Sequence, residues 1–157
     1  MTSKQSGKLS DHFSLEELTV TNTNYPNTPD AESLENLKLL CTVLERIRTL
    51  LEKPLTVSSG YRSTAVNKAV RGAMSSSHLY GLAADIKVMG MTPYQVCLAL
   101  KDSNISLDQL IYENLGGNGG WTHVGIKNPL SQNRNQHFSI HKGTGYLQGI
   151  VEAPTFN

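Results

Sequence analysis

The sequence predicts an α+β domain with helices packed on one face of a small, mostly antiparallel sheet, and three observations carry that expectation. Apolar residues recur at three- and four-residue steps through one long early stretch. Short β-rich runs dominate the second half, and a glycine-rich turn joins two of them. At 157 residues and 17.2 kDa the chain suits one compact domain spanning 1–157, and a domain of this size needs neither disulfides nor repeats to bury a core.

The elements follow in order. Residues 1–10 are polar and read as a loose N-terminus. Around SLEEL, Ser14 is a natural helix cap and Glu17 occupies the capping-box position, which predicts a short helix over 14–18. TNTNYPNTPD reads as a loop that ends with Thr28 as N-cap and Pro29 at the first helical position. From Asp30 to Lys53, Leu34, Leu37, Cys41, Leu44, Ile47 and Leu51 mark one face of a helix, while Glu35, Lys38, Glu45 and Arg48 mark the other; Pro54 stops it. LTVS from Leu55 is a short strand, and Ser63 caps a short helix through about Val70, so Arg62 falls at a strand-to-helix junction.

A strand over Ala84–Val88 carries Asp85, and Gly90 breaks it. Thr92-Pro93 opens a helix that runs to about Asp102. DQLIYE, with Leu110 and Tyr112 on one side and Gln109, Ile111 and Glu113 on the other, pairs across LGGNGG with WTHVGI as a hairpin. Gln136–Ile140 adds a last strand, and the tail over 141–157 is poorly specified.

Composition excludes some functions. Net charge is +1, from 14 basic and 13 acidic residues without a Lys/Arg cluster, so nucleic acid is not an expected partner. Cys41 and Cys97 lie within apolar helical patterns and read as buried free thiols, which suits a reducing compartment. The N-terminal residues lack the ~7–15-residue apolar core of a signal peptide, and no run approaches the ~20 apolar residues of a membrane span. The expectation is a protein made in the cytoplasm without membrane insertion, a monomer, delivered by another factor if its substrate lies outside.

The chemistry concentrates in SSGYRSTAVNKAVRGAMSSSHLYGLAADIKV, residues 58–88. His78 and Asp85 flank a tight, small-residue segment where an imidazole and a carboxylate can converge, and His123 on the WTHVGI strand can join them if the sheet sets that strand beside Asp85. Two imidazoles and one carboxylate suit a catalytic zinc, because three protein ligands leave a position open for water. The same residue types also make ordinary hydrogen bonds, and spacing does not separate the two readings.

Ser-x-His-x(6)-Asp at Ser76, His78 and Asp85, LIYE, and Trp-x-His at Trp121 and His123 resemble the zinc D-alanyl-D-alanine carboxypeptidase family, whose wider group includes vancomycin-resistance D,D-dipeptidases, phage endolysin peptidases and the hedgehog domain. The likeness spans about residues 12–126. It implies a hedgehog/D-Ala-D-Ala-peptidase-like fold and Zn2+ held by His78, Asp85 and His123. It further implies that Arg62 binds a substrate carboxylate and that Ser76 bonds the substrate or the backbone near the metal. Members of the wider group often carry an acidic residue three positions before the last zinc histidine. Here that residue is Gly120, and Glu113 is the candidate catalytic base; His137 is a further candidate acid, and Asn67 a residue that fixes the loop.

The implied function is zinc-dependent hydrolysis of a peptide bond in peptidoglycan stem peptides. Two alternatives stay open: a phage or prophage endolysin-type endopeptidase released to the wall by another factor, and a zinc-binding interaction module without catalysis.

Overall fold

The computed structural model describes residues 7–128 and 132–154. Helices α1 (Leu15–Leu18) and α2 (Ala31–Leu51) precede strand β1 (Leu55–Ser59), helix α3 (Thr64–Ala69) and a 3-10 turn at Ser77–Tyr80. Strand β2 (Ala83–Val88), helix α4 (Pro93–Lys101), the hairpin β3 (Gln109–Asn114) and β4 (Trp121–Gly125), then β5 (Gln136–His141) and β6 (Leu147–Gln148) complete the order. The six strands form one sheet in the order β1-β2-β4-β3-β5-β6, antiparallel throughout except where β5 runs parallel to β3. None of the described helices is long and apolar enough to cross a membrane.

Strand alternation divides the sheet into two chemically distinct faces. Ala84, Ile86 and Val88 of β2, Leu110 and Tyr112 of β3 and Val124 of β4 share one core with Leu37, Leu40, Cys41, Leu44 and Ile47 of α2 and with Val96, Cys97 and Leu100 of α4. The residues between them, Asp85, Ile111, Glu113 and His123, are thereby turned to the face away from α2 and α4. Both cysteines are free and buried, and burial pushes each thiol up to about 12.

Local chemistry accounts for most boundaries. Ser14 caps α1 by accepting from the Glu17 N–H, Ser63 caps α3 by accepting from the Val66 N–H, and Thr92 with Gln95 forms a full capping box on α4. The start of α2 differs from the sequence expectation: its N-cap is Asp30, whose carboxylate accepts from the Ser33 N–H at 2.8 Å, and Pro29 lies outside the helix. A carboxylate at this position satisfies a free N–H and also meets the positive end of the helix dipole, whereas Thr28 offers only a hydroxyl.

Both chain ends are better tied than their composition suggests. Leu9 donates its N–H to Phe13 and packs on the core, Ser10 Oγ donates to Glu45, and Lys8 bridges Ser14; of the loose N-terminus, 1–6 lie outside the described residues. At the other end β6 pairs with β5, Ser139 Oγ donates to the Gly149 carbonyl and accepts from the Val151 N–H, and buried His141 bonds the Val151 carbonyl through Nε2. Ile150 is 8% exposed and belongs to the core, so the tail is specified through residue 151, while 155–157 lie outside the described residues. Glycine and polar content hid this segment, because its order comes from hydrogen bonds to β5 and not from a local pattern.

Ile150→Ala is expected to cost about 2–5 kcal/mol, the usual cost of emptying a buried aliphatic site. Urea unfolding measures it, and a loss below about 0.5 kcal/mol would mean that the tail carries none of the core.

Candidate metal centre

Register assembles the site. Asp85 of β2 stands opposite His123 of β4, and His123 stands opposite Ile111 of β3, so the three side chains line one row across the site face. On β1 the pairing shifts by one residue between Val57 and Ser59, leaving Ser58 unopposed. This bulge keeps Val57 in the core against Ile86 and still turns Ser59 toward Asp85, a device common beside functional sites that no local pattern announced.

His78 arrives from the 3-10 turn. Ser76 Oγ accepts from the His78 N–H at 3.2 Å and sets the turn, while the His78 carbonyl accepts from the Arg62 N–H at 2.9 Å. The ring is oriented by its Nδ1, 2.7 Å from the Gly60 carbonyl. A carbonyl can only accept, so Nδ1 carries the proton and Nε2 presents a lone pair. Gly60 is required at this point: a Cβ there would stand 2.4 Å from the Leu18 carbonyl oxygen.

His78 Nε2 lies 3.4 Å and His123 Nδ1 3.1 Å from the same oxygen, Asp85 Oδ1, and the three donor atoms all lie within 4.8 Å of one another. The other oxygen, Oδ2, accepts from Arg62 Nη2 at 3.3 Å. Tetrahedral zinc with bonds near 2.0–2.1 Å separates its ligand atoms by about 3.3 Å, which the two Asp85 spacings match. The His78 lone pair aimed at a carboxylate oxygen also calls for a cation between them. The donor set therefore fits Zn2+ on distance, on ligand chemistry and on the outer hydrogen bonds that orient two of the ligands, His78 donating to the Gly60 carbonyl and Asp85 accepting from Arg62.

The buried site perturbs its own titrations. Burial by itself would push Asp85 up, but the hydrogen bond from His123 and its charge hold the carboxyl far below the usual carboxylate range. Burial also lowers His78. His123 goes the other way: burial opposes its charge, yet the Asp85 hydrogen bond and charge raise it above its ordinary value.

Glu113 sits one strand over from His123, with Oε1 at 3.9 Å from His123 Nδ1. Burial, followed by the Asp85 charge, raises its carboxyl. Its cross-strand neighbour is Trp121, whose buried indole N–H has no hydrogen-bond partner among the described residues. At Gly120, which has φ +65°, a Cβ would lie 1.7 Å from the Glu113 carbonyl oxygen. No acidic side chain fits at 120 in this hairpin, and the carboxylate comes from Glu113 itself.

The remaining candidates divide. Arg62 is at the site, held by Ser59 Oγ at 3.0 Å from Nε and by Asn67 Oδ1 at 3.3 Å from Nη1. Asn67 also donates to the Ala73 carbonyl, so it fixes the loop and the guanidinium together. Ser76 bonds backbone, through the His78 N–H. His137 is not at the site: it stands opposite Leu110, a core-facing residue, and bonds Asn135. Ser59 was missed, and only the bulge reveals it.

The arrangement is that of a candidate metal centre with a half-buried carboxylate beside it on one face of the sheet. The chain belongs to the peptidase M15 family, whose model matches residues 11–125. It is 30% identical over 117 residues to the zinc D-Ala-D-Ala carboxypeptidase of Streptomyces albus G, a match that covers 72% of this chain and 45% of that protein. The chain thus spans less than half the length of this relative.

Metal binding requires a deprotonated imidazole nitrogen, and His123 keeps its proton above the ordinary 6.5. Zinc affinity is therefore expected to fall as the pH drops, beginning above pH 6.5, by up to about tenfold per pH unit for each proton displaced. Competition with a fluorescent chelator between pH 8 and 5.5 measures this; an affinity independent of pH would exclude the imidazoles as ligands.

Proposed function

We propose that the protein is a zinc-dependent peptidase that hydrolyses a peptide bond in peptidoglycan stem peptides, in the manner of a D-Ala-D-Ala carboxypeptidase. One observation carries the reading: the His78, Asp85 and His123 donors converge at zinc-like spacing with the Glu113 carboxylate 3.9 Å away. The M15 match and the zinc D-Ala-D-Ala carboxypeptidase relative support it.

Bound Zn2+ would supply a Lewis acid for the scissile carbonyl and lower the pKa of its water to about 7. Glu113 takes the proton of the attacking water on its carboxylate and returns it to the departing amine nitrogen. A carboxyl raised by burial suits that task, since its proton affinity lies nearer to working pH. Among the described residues Arg62 uses Nε, Nη1 and Nη2 once each, so Nη1 and Nη2 each keep a further N–H for the carboxylate at the substrate's end. Its own bonds to Ser59 and Asn67 preorganise the guanidinium, which lowers the ordering cost of binding. Ser76 acts by holding the turn that presents His78.

Glu113→Gln is expected to retain about one zinc and lose hydrolysis by about 10²–10⁴-fold, whereas His78→Ala loses the zinc as well. Metal analysis and mass spectrometry of digested stem peptides measure both. Free D-alanine is the expected product; larger fragments would indicate an endopeptidase. A Glu113→Gln variant as active as the unaltered protein would remove Glu113 as the base. Zinc-loaded protein that cuts no wall peptide would leave a binding module.

A further inference from the structure

The family match ends at residue 125, yet the chain beyond it adds two strands to the same sheet. Phe138 of β5 stands opposite Ile111, which stands opposite His123, so Phe138 continues the row Asp85, His123, Ile111 on the site face. Tyr146 packs edge-on against Phe138, with ring centroids 6.1 Å apart and planes at 67°. It remains 64% exposed, although it sits on a turn secured by Thr144, whose N–H donates to the His141 carbonyl and whose hydroxyl accepts from the His141 N–H. Partial burial, and after it the Glu113 charge, raise its phenol above the ordinary value. A large aromatic face held in solvent at the end of this row has no role in the core.

The row also has a direction. Arg62 lies on the β1–β2 side of the donors, and Phe138 with Tyr146 lies on the β5 side. Two strand spacings separate β4 from β5, about 10 Å, which an extended peptide covers in about three residues. A peptide whose terminal carboxylate meets Arg62 and whose scissile bond lies at the donors would carry its N-terminal portion over Glu113 to Tyr146. Aromatic rings present large apolar area with few rotatable bonds, and their faces attract both aliphatic chains and cationic ends.

We infer that Phe138 and Tyr146 form an acyl-side subsite that takes the peptide residue about three positions before the scissile bond, packing its side chain on the exposed Tyr146 ring. This inference rests on the proposed peptidase reading and deepens it: it makes Tyr146 a specificity-determining residue, supplied by a segment outside the family match.

The test compares kcat/KM of the zinc-loaded protein on an N-acetylated dipeptide ending in D-Ala-D-Ala and on a stem pentapeptide with the same ending. Tyr146→Ala is expected to lower the pentapeptide-to-dipeptide ratio about tenfold, mainly through KM, and Tyr146→Phe to restore it, because the ring and not the hydroxyl makes the contact. If only the pentapeptide is cut, its KM alone is read. A ratio that Tyr146→Ala leaves unmoved, or equal losses on both substrates, overturns the subsite while leaving the peptidase reading intact. Protein that binds zinc and cuts neither substrate overturns both.

Discussion

The structure depends on one buried carboxylate. Asp85 is charged, almost fully enclosed in the middle of a sheet, and such a burial is tolerable only when each oxygen is met by a donor or a cation. Oδ1 faces His78 and His123, and Oδ2 faces Arg62. Each of these partners comes from a different element, and each is itself held: His78 by the Gly60 carbonyl, Arg62 by Ser59 and Asn67, His123 by its antiparallel pairing with Asp85. A divalent cation among these donors would relieve the strongest conflict, the neutral His78 lone pair turned toward a carboxylate oxygen.

The sheet serves two incompatible environments through alternation alone. Ala84 and Ile86 flank Asp85 on β2 and go into the core under α2 and α4, while Asp85 goes to the other face. A one-residue slip on any strand would exchange the two sets, so the hydrophobic core and the site enforce the same register. The bulge at Ser58 is the exception that supports the rule: it lets β1 keep Val57 inside and still present Ser59 to the Arg62 guanidinium. Backbone crowding likewise decides where the neighbouring carboxylate comes from. With the Glu113 carbonyl against Gly120, the hairpin leaves no room for an acid before His123 and brings one from the adjacent strand.

The chain adds β5 and β6 to the sheet beyond residues 11–125, which the M15 family match covers. Residues 11–125 contain the candidate metal donors His78, Asp85 and His123, as well as Arg62 and Glu113. β5 extends the same face beyond the match, and its Phe138, with Tyr146 packed on it from the turn before β6, lies on the side away from Arg62. Continuity of hydrogen bonding from β3 to β5 makes that addition part of the site's frame.

The sequence by itself determined the local elements and the identity of the donors. Capping residues at 14, 63 and 92, the three- and four-step apolar pattern of α2 and the glycine-rich turn before Trp121 are short-range signals, and each produced its element. His78, Asp85 and His123 were legible as residue types able to share a metal, but spacing did not separate that reading from ordinary hydrogen bonds, and it was the resemblance to the zinc peptidases that singled out the set and Glu113. Tertiary structure alone decided the pairing of β2 with β4, the Ser58 bulge, the docking of Ile150 and the placing of Tyr146 beside Phe138. The strand pairing and the bulge arise from backbone hydrogen bonds between segments far apart in the chain, which use the same N–H and C=O groups whatever the side chains and so leave little trace in sequence, and Ile150 and Tyr146 find their packing partners only once the strands are so placed.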